Sequence, residues 1–325
     1  MGDIFRFTIL GCSSSGGVPR IGNDWGVCDP AEPKNRRRRC SLLVRRIRET
    51  GPDQTAERQQ KADQPIAEDG AHHGPNGPAA GERPPSLPPG MPPPKIDDPQ
   101  RERETRVLID TSPDLREQLL SAGVGVLDAV LYTHEHADHI HGIDDLRGVY
   151  FNRGRRRVPC YANDRTANIL VNRFGYCFYT PPGSAYPPIA ELNRIEEFVP
   201  VTIDGAGGAI TALPIDLEHG HFHSFGFIIN GVAYTPDLNG IPEATIPHLQ
   251  GLKVWIVDAL RPGPKPHPTH FILEETLQWI ERLKPERAIL TNLHTLMDYR
   301  TLKETLPEGV EPAYDGLTID LPVLS

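Results

Sequence analysis

The stretch Tyr132-Thr133-His134-Glu135-His136-Ala137-Asp138-His139 decides the fold. It gathers His134, His136, Asp138 and His139 directly behind residues 127–132, a short apolar run that reads as a buried strand. A strand ending in H-x-H-x-D-H sends alternate side chains to one side and leaves the next loop to supply the others. Four such ligands cannot all converge on one tetrahedral ion that keeps an open position, so the pattern suits two adjacent divalent cations.

Working outward, residues 4–10 alternate apolar and polar and predict a first strand, followed by a Gly/Ser turn at 11–17. Residues 40–46 predict a second strand and 106–110 a third. Between the last two the composition changes. Residues 50–100 hold about a dozen prolines and few large apolar side chains. Such a segment cannot bury enough apolar surface to offset the entropy of ordering it, so a disordered Pro/Gly-rich insertion is expected at about 49–102, between two strands of one sheet. A helix is expected after 106–110, with Ser112 as N-cap, Pro113 at its first position and Gly123 just past its end. Downstream, strands are expected at 209–216, 225–230, 232–235, 254–257 and 288–291, with Gly231 making a tight hairpin and 273–283 an amphipathic helix. Strands and covering helices in this order predict a single α/β domain over 1–325, an αββα sandwich of two facing mixed β-sheets with helices on both outer faces. Each candidate ligand then follows a strand and falls on loops at one rim.

Composition narrows the function classes. The chain has 325 residues and a formal charge of -9. Residues 49–102 carry 10 acidic and 5 basic residues, leaving 33 against 29 elsewhere, a balance of -4. That is no basic face for gripping a long polyanion, so extended nucleic-acid binding is not expected. The five cysteines are widely spaced and form neither a disulfide framework nor a zinc ribbon. The N-terminus lacks a signal-peptide core and no apolar run is long enough to span a bilayer, so a cytoplasmic protein without membrane contact is expected.

More ligands are needed than the first cluster offers. His219, Asp237 and His294 each lie at or just beyond a predicted strand end, and Asp237 could bridge two ions. The order of H-x-H-x-D-H, a lone His, a lone Asp and a last His resembles the metallo-β-lactamase superfamily. Within it, the chain looks most like the branch of the phosphoribosyl cyclic phosphate phosphodiesterase and, more distantly, the tRNA 3′-processing endonucleases. Supporting segments are residues 11–19 (GCSSSGGVP), 108–114 (LIDTSPD), 234–237 (YTPD), 267–270 (HPTH) and 290–294 (LTNLH). By position, the resemblance implies His134, His136 and His219 on one ion, Asp138, His139 and His294 on a second, and Asp237 between them. His221 and His223 compete with His219. Zinc is the favoured ion for imidazole and carboxylate ligands, with manganese or iron also suitable. That branch also has a structural zinc held by clustered cysteines; only Cys28 stands in the matching loop here, so none is expected. Where the family often has its final His directly after Leu-Thr, this chain has Asn292. Strand alternation would put 292 and 294 on one side, which is the argument for His294.

The implied activity is hydrolysis of a small or cyclic phosphodiester by a dinuclear metal-dependent enzyme. His270 is the candidate proton donor to the leaving oxygen, with His267 as its rival, and loss of Asp138 should abolish turnover. Asp110 and Asp258 read as acceptors for ligand imidazoles. Rival readings are a tRNA 3′-processing endoribonuclease, a lactone or thioester hydrolase, and a non-catalytic metal-binding accessory protein. Dimers are common in similar proteins, so a homodimer is possible.

Overall fold

A computed structural model describes residues 2–49 and 101–324. Their strands form two seven-stranded sheets. The first runs β14 (Thr318–Pro322), β1 (Ile4–Gly11), β2 (Ser41–Ile47), β3 (Glu104–Ile109), β4 (Ala129–Leu131), β5 (Val158–Ala162), β6 (Ala190–Arg194). The second runs β13 (Val310–Pro312), β12 (Ala288–Thr291), β11 (Val254–Asp258), β10 (Val232–Thr235), β9 (Phe222–Ile229), β8 (Ile210–His219), β7 (Val201–Ile203).

Alternation along the strands decides what fills each layer. Phe7, Ile9, Val44, Val107, Ile109 and Leu131 from one sheet meet Phe225, Phe227, Tyr234, Ile256 and Ile289 from the other in a common core. The intervening residues point outward. Leu43, Leu108 and Val130 are covered by α1 (Leu115–Ser121), α3 (Leu146–Asn152) and α4 (Asp164–Phe178). Leu217, Trp255, Val257 and Leu290 are covered by α5 (Leu273–Leu283) and α6 (Tyr299–Thr305). Each large apolar side chain so buried contributes about 1.5–3 kcal/mol relative to exposure. The architecture is the αββα sandwich that the sequence predicts.

Some boundaries differ. The N-cap of α1 is Asp114, not Ser112; the Ser112 hydroxyl instead accepts from the Asp114 N–H at 3.1 Å and donates to Gln118. The strand read at 225–230 begins earlier, at Phe222, because it completes a hairpin with β8. The Gly231 hairpin is present, with Gly231 at φ 76°. Of the insertion expected at about 49–102, residues 50–100 lie outside the described residues. Its flanks are informative: β2 and β3 pair antiparallel, with Ile47 opposite Glu104.

Strand direction positions the site. β3, β4 and β5 are parallel, as are β10, β11 and β12. Parallel neighbours end at the same rim, the usual place for ligands in α/β sheets. Asp110 follows β3, His134 follows β4, Asp237 follows β10 and Asp258 ends β11.

Candidate metal centre

His134 leaves β4 buried at the rim, and the chain then enters a short helix, α2 (Ala137–Ile140), with His136 as its N-cap. This turn brings Asp138 and His139 back towards His134, whose ring centroid lies 4.2 Å from that of His139. From the facing sheet, β8 ends on His219 and Gly220 turns the chain at φ 68°. A Cβ on Gly220 would meet Thr269 Cγ2 at 2.8 Å, so the turn is close-fitting as well as left-handed. Asp237 enters between these groups.

Two clusters result. His134, His136, His219 and Asp237 have ligand atoms within 4.8 Å of one another, and so do Asp138, His139 and Asp237. His219 Nε2 lies 3.1 Å from His136 Nδ1 and 3.8 Å from Asp237 Oδ2, which is also 3.8 Å from His134 Nε2. On the other side, His139 Nε2 lies 3.2 Å from Asp237 Oδ1 and 3.5 Å from Asp138 Oδ2. Ligands about 2.0–2.1 Å from a tetrahedral zinc stand roughly 3.3 Å apart. The spacing therefore fits ions held between these atoms. A second observation agrees: His134 Nε2, His139 Nε2 and Asp237 Oδ1 are buried without a hydrogen-bond partner, a costly condition unless they face a cation.

The rings are aimed by contacts on their other nitrogens. His139 Nδ1 donates to Asp110 Oδ2 at 2.7 Å, and Asp110 accepts from the Thr133 N–H and hydroxyl, each at 2.8 Å. The Thr133 hydroxyl also lies 3.0 Å from His134 Nδ1. His219 Nδ1 donates to the Thr269 carbonyl at 2.5 Å. Such partners fix tautomer and orientation in metal-binding imidazoles.

Without an ion, burial holds His134 well below the ordinary histidine range, lowers His136, and brings His219 down to about 4 against the pull of Asp237. Burial works the same way on His139, but Asp237, Asp138 and Asp110 outweigh it and hold that imidazole well above its usual range. For Asp237 burial opposes ionisation, and the His139 charge overcomes it, keeping the carboxyl well below the carboxylate range. The cavity thus offers three neutral imidazoles, His134, His136 and His219, beside ionised carboxylates, while His139 must give up its proton to serve as a ligand.

Comparison with known proteins agrees. The family model described as the beta-lactamase superfamily domain matches residues 105–292. A solved structure of a diphosphatase from the PhnP family is 30% identical, with a TM-score of 0.72, over 98% of this chain and 97% of that one. The chain belongs to the beta-lactamase superfamily.

Other relatives widen the picture. A ribonuclease Z from Bradyrhizobium diazoefficiens is 30% identical over 135 residues, and an octanoyltransferase from Porphyromonas gingivalis 32% identical over 215. These matches cover 39% and 65% of this chain and only 41% and 42% of those proteins. Zn(2+)-bound PqqB from Methylobacterium extorquens is 15% identical with a TM-score of 0.59, over 97% of this chain and all of that one, and shares the fold. Within that superfamily domain, the ligand cluster supplies the residues that could hold divalent metal.

Against that family pattern, six of the seven expected ligands converge: His134, His136, Asp138, His139, His219 and Asp237. His294 does not join either group. The reason is local: β12 stops at Thr291, and Asn292 turns the chain at φ 59°, so strand alternation does not carry on to 294. Instead His294 Nε2 faces the Arg20 guanidinium. His223, the rival of His219, is exposed and pairs with Asp216 at 2.8 Å, and His221 is exposed as well. His270 lies beside the site, its Nδ1–H donating to Asp258 Oδ2 at 2.8 Å. Burial disfavours its charge, yet Asp258 raises it to about 9. Arg38 and Arg39 are tied to Asp315 and Asp114, each at 2.9 Å, and Arg37 is buried, so these three arginines are not a free basic patch. The Cys28 thiol, buried, lies 3.5 Å from the Thr295 carbonyl.

A cavity of about 480 Å³ opens over the cluster, lined by His136, Asp138 and Asp237 together with Arg20, Arg261, His267, His270 and His294. Ser14 and Ser15 of the Gly/Ser turn also line it. Sequence reasoning missed Arg20 and Arg261. Neither belongs to a motif with a metal-ligand spacing, and the one available signal was position: Arg20 follows the Ser/Gly turn and Arg261 follows β11. Among the described residues, no helix is long and apolar enough to cross a membrane.

Proposed function

We propose that this chain is a dinuclear phosphodiesterase that hydrolyses a small or cyclic phosphodiester. The observation that carries this reading is the cavity itself, whose lining combines metal-facing ligands with two arginines and three further histidines. An anionic phosphoryl group suits this lining, whereas the acyl group of a lactone or thioester would want apolar lining. The likeness to a PhnP-family diphosphatase across nearly the whole chain supports the same chemistry.

Bound divalent ions supply the positive charge that favours deprotonation of water and neutralises phosphoryl oxygens. The chain's own residues do the rest. His134, His136, Asp138, His139, His219 and Asp237 hold the ions, zinc being favoured by the imidazole-rich group. Asp110 and Asp258 hold the rings of His139 and His270 in register. With Nδ1 committed to Asp258, His270 has Nε2 available to the cavity, where it can hold a proton for the departing oxygen. Arg20 and Arg261 orient the anionic substrate.

A second reading, ribonuclease Z-type RNA cleavage, is favoured by the match to the Bradyrhizobium relative. The test is direct. Metal-loaded protein is assayed on bis-p-nitrophenyl phosphate, a ribose cyclic phosphate, a lactone and a precursor tRNA. Turnover of the first two, lost in Asp138→Ala, is the expected result. Cleavage of the tRNA alone, or of the lactone alone, would replace this reading.

A further inference from the structure

The two halves of the ligand cluster are unequal. The first position has four protein ligands, three imidazoles and the Asp237 carboxylate; the second has three, Asp138, His139 and the same Asp237. Three side chains could complete the second set, and each is engaged elsewhere. The Asn292 amide donates to Asp258 Oδ1 at 3.1 Å and sits 3.0 Å from His270 Nδ1. His294 lies beyond the turn at Asn292, with Nε2 on the Arg20 guanidinium and Nδ1 3.2 Å from the Leu296 N–H. His270 approaches Asp237 Oδ2 at 3.8 Å through Nδ1, the nitrogen already bound to Asp258.

Resting on the dinuclear reading above, we propose that the second position is a three-ligand, oxygen-rich site that holds its ion more weakly than the first and selects a harder cation. Three nitrogens and one oxygen suit zinc at the first position. One nitrogen and two carboxylates suit manganese or magnesium at the second, with the remaining coordination open to water or substrate. The resting protein then carries one tightly held ion, and the second enters from solution. His294 serves the cavity wall with Arg20 and is no ligand.

The experiment counts metal. Full-length protein stripped with chelator is dialysed against zinc, against manganese, and against zinc followed by excess manganese, and bound ions are measured by mass spectrometry. Wild type should take one zinc tightly, and a second ion with an affinity weaker by about tenfold or more, the scale of losing one supporting interaction. Zinc followed by manganese should give one of each. Asp138→Asn should lose only the weaker ion, and His294→Ala should keep both, with circular dichroism verifying that each variant is folded. Two zinc ions of equal affinity, loss of the weaker ion in His294→Ala, or a single ion even in excess manganese would each overturn the proposal. Binding of no metal at all would overturn the dinuclear hydrolase reading along with it, so the two failures are distinguishable.

Discussion

The sheet that contains β3 and β4 delivers its ligands on one contiguous loop, from His134 to His139, braced by a single carboxylate, Asp110. The facing sheet delivers His219, Asp237 and the His270–Asp258 pair from separate segments, successive members standing 12 to 21 positions apart in sequence. The first contribution depends on local backbone geometry: a strand end, an N-cap and one helical turn. The second depends on three strand ends being level with one another, which only sheet register can arrange. A contiguous loop is robust to small shifts because its ligands move together. A dispersed set is not, and small changes in register separate its members.

The largest expected effect breaks the dispersed half. Asp237 is shared by both clusters, so Asp237→Ala should strip both ions and take phosphodiester turnover to the detection limit, a loss beyond the roughly 100-fold seen for outer contacts. Metal counting alongside the rate assay checks it. Next, His270→Ala should lower turnover by about 10²–10⁴-fold with metal content unchanged, since the ring is placed as a proton donor. A fall in bound metal would make it a ligand instead. In the contiguous half, Asp110→Asn should weaken metal binding on the His139 side by about 10–100-fold, read by competition with a coloured chelator, because the His139 ring loses its charged acceptor. The smallest effect is on stability. His219 is held down to about 4 in the fold, below its unfolded value, so its contribution is present above about pH 6.5 and is lost as pH falls towards 4. The metal-stripped protein should therefore melt at lower temperature on acidification across that window, and His219→Gln should flatten the dependence. An unchanged slope would count against the burial argument.

The same contrast explains what could be read in advance. The H-x-H-x-D-H run announces itself, because ligand types and spacing lie on one line of sequence and the strand before it is plainly apolar. His219 and Asp237 were legible because their strands do end where the apolar runs end. His294 was misread because alternation was extended one turn too far. Nothing in Leu290-Thr291-Asn292-Leu293-His294 marks the left-handed backbone at Asn292 except Asn itself, one of the few side chains that tolerates it. Arg20 and Arg261 were invisible for a different reason: they reach the cavity from loops, and a loop's end point is set by packing on the rest of the fold. The layering was readable throughout, since two-residue alternation distinguishes the shared core from the helix-covered faces.

The pairing of Ile47 with Glu104 has a consequence for how this chain tolerates change. The polypeptide departs from the sheet and returns to it at neighbouring points. Those points lie at the opposite end of β3 from Asp110, roughly 17 Å away along an extended strand of this length. Both described attachment points therefore lie at the end of the sheet away from the metal-facing rim. A change of length between those two points would alter the chain at the sheet end remote from Asp110, where the strands carry no metal-facing residue.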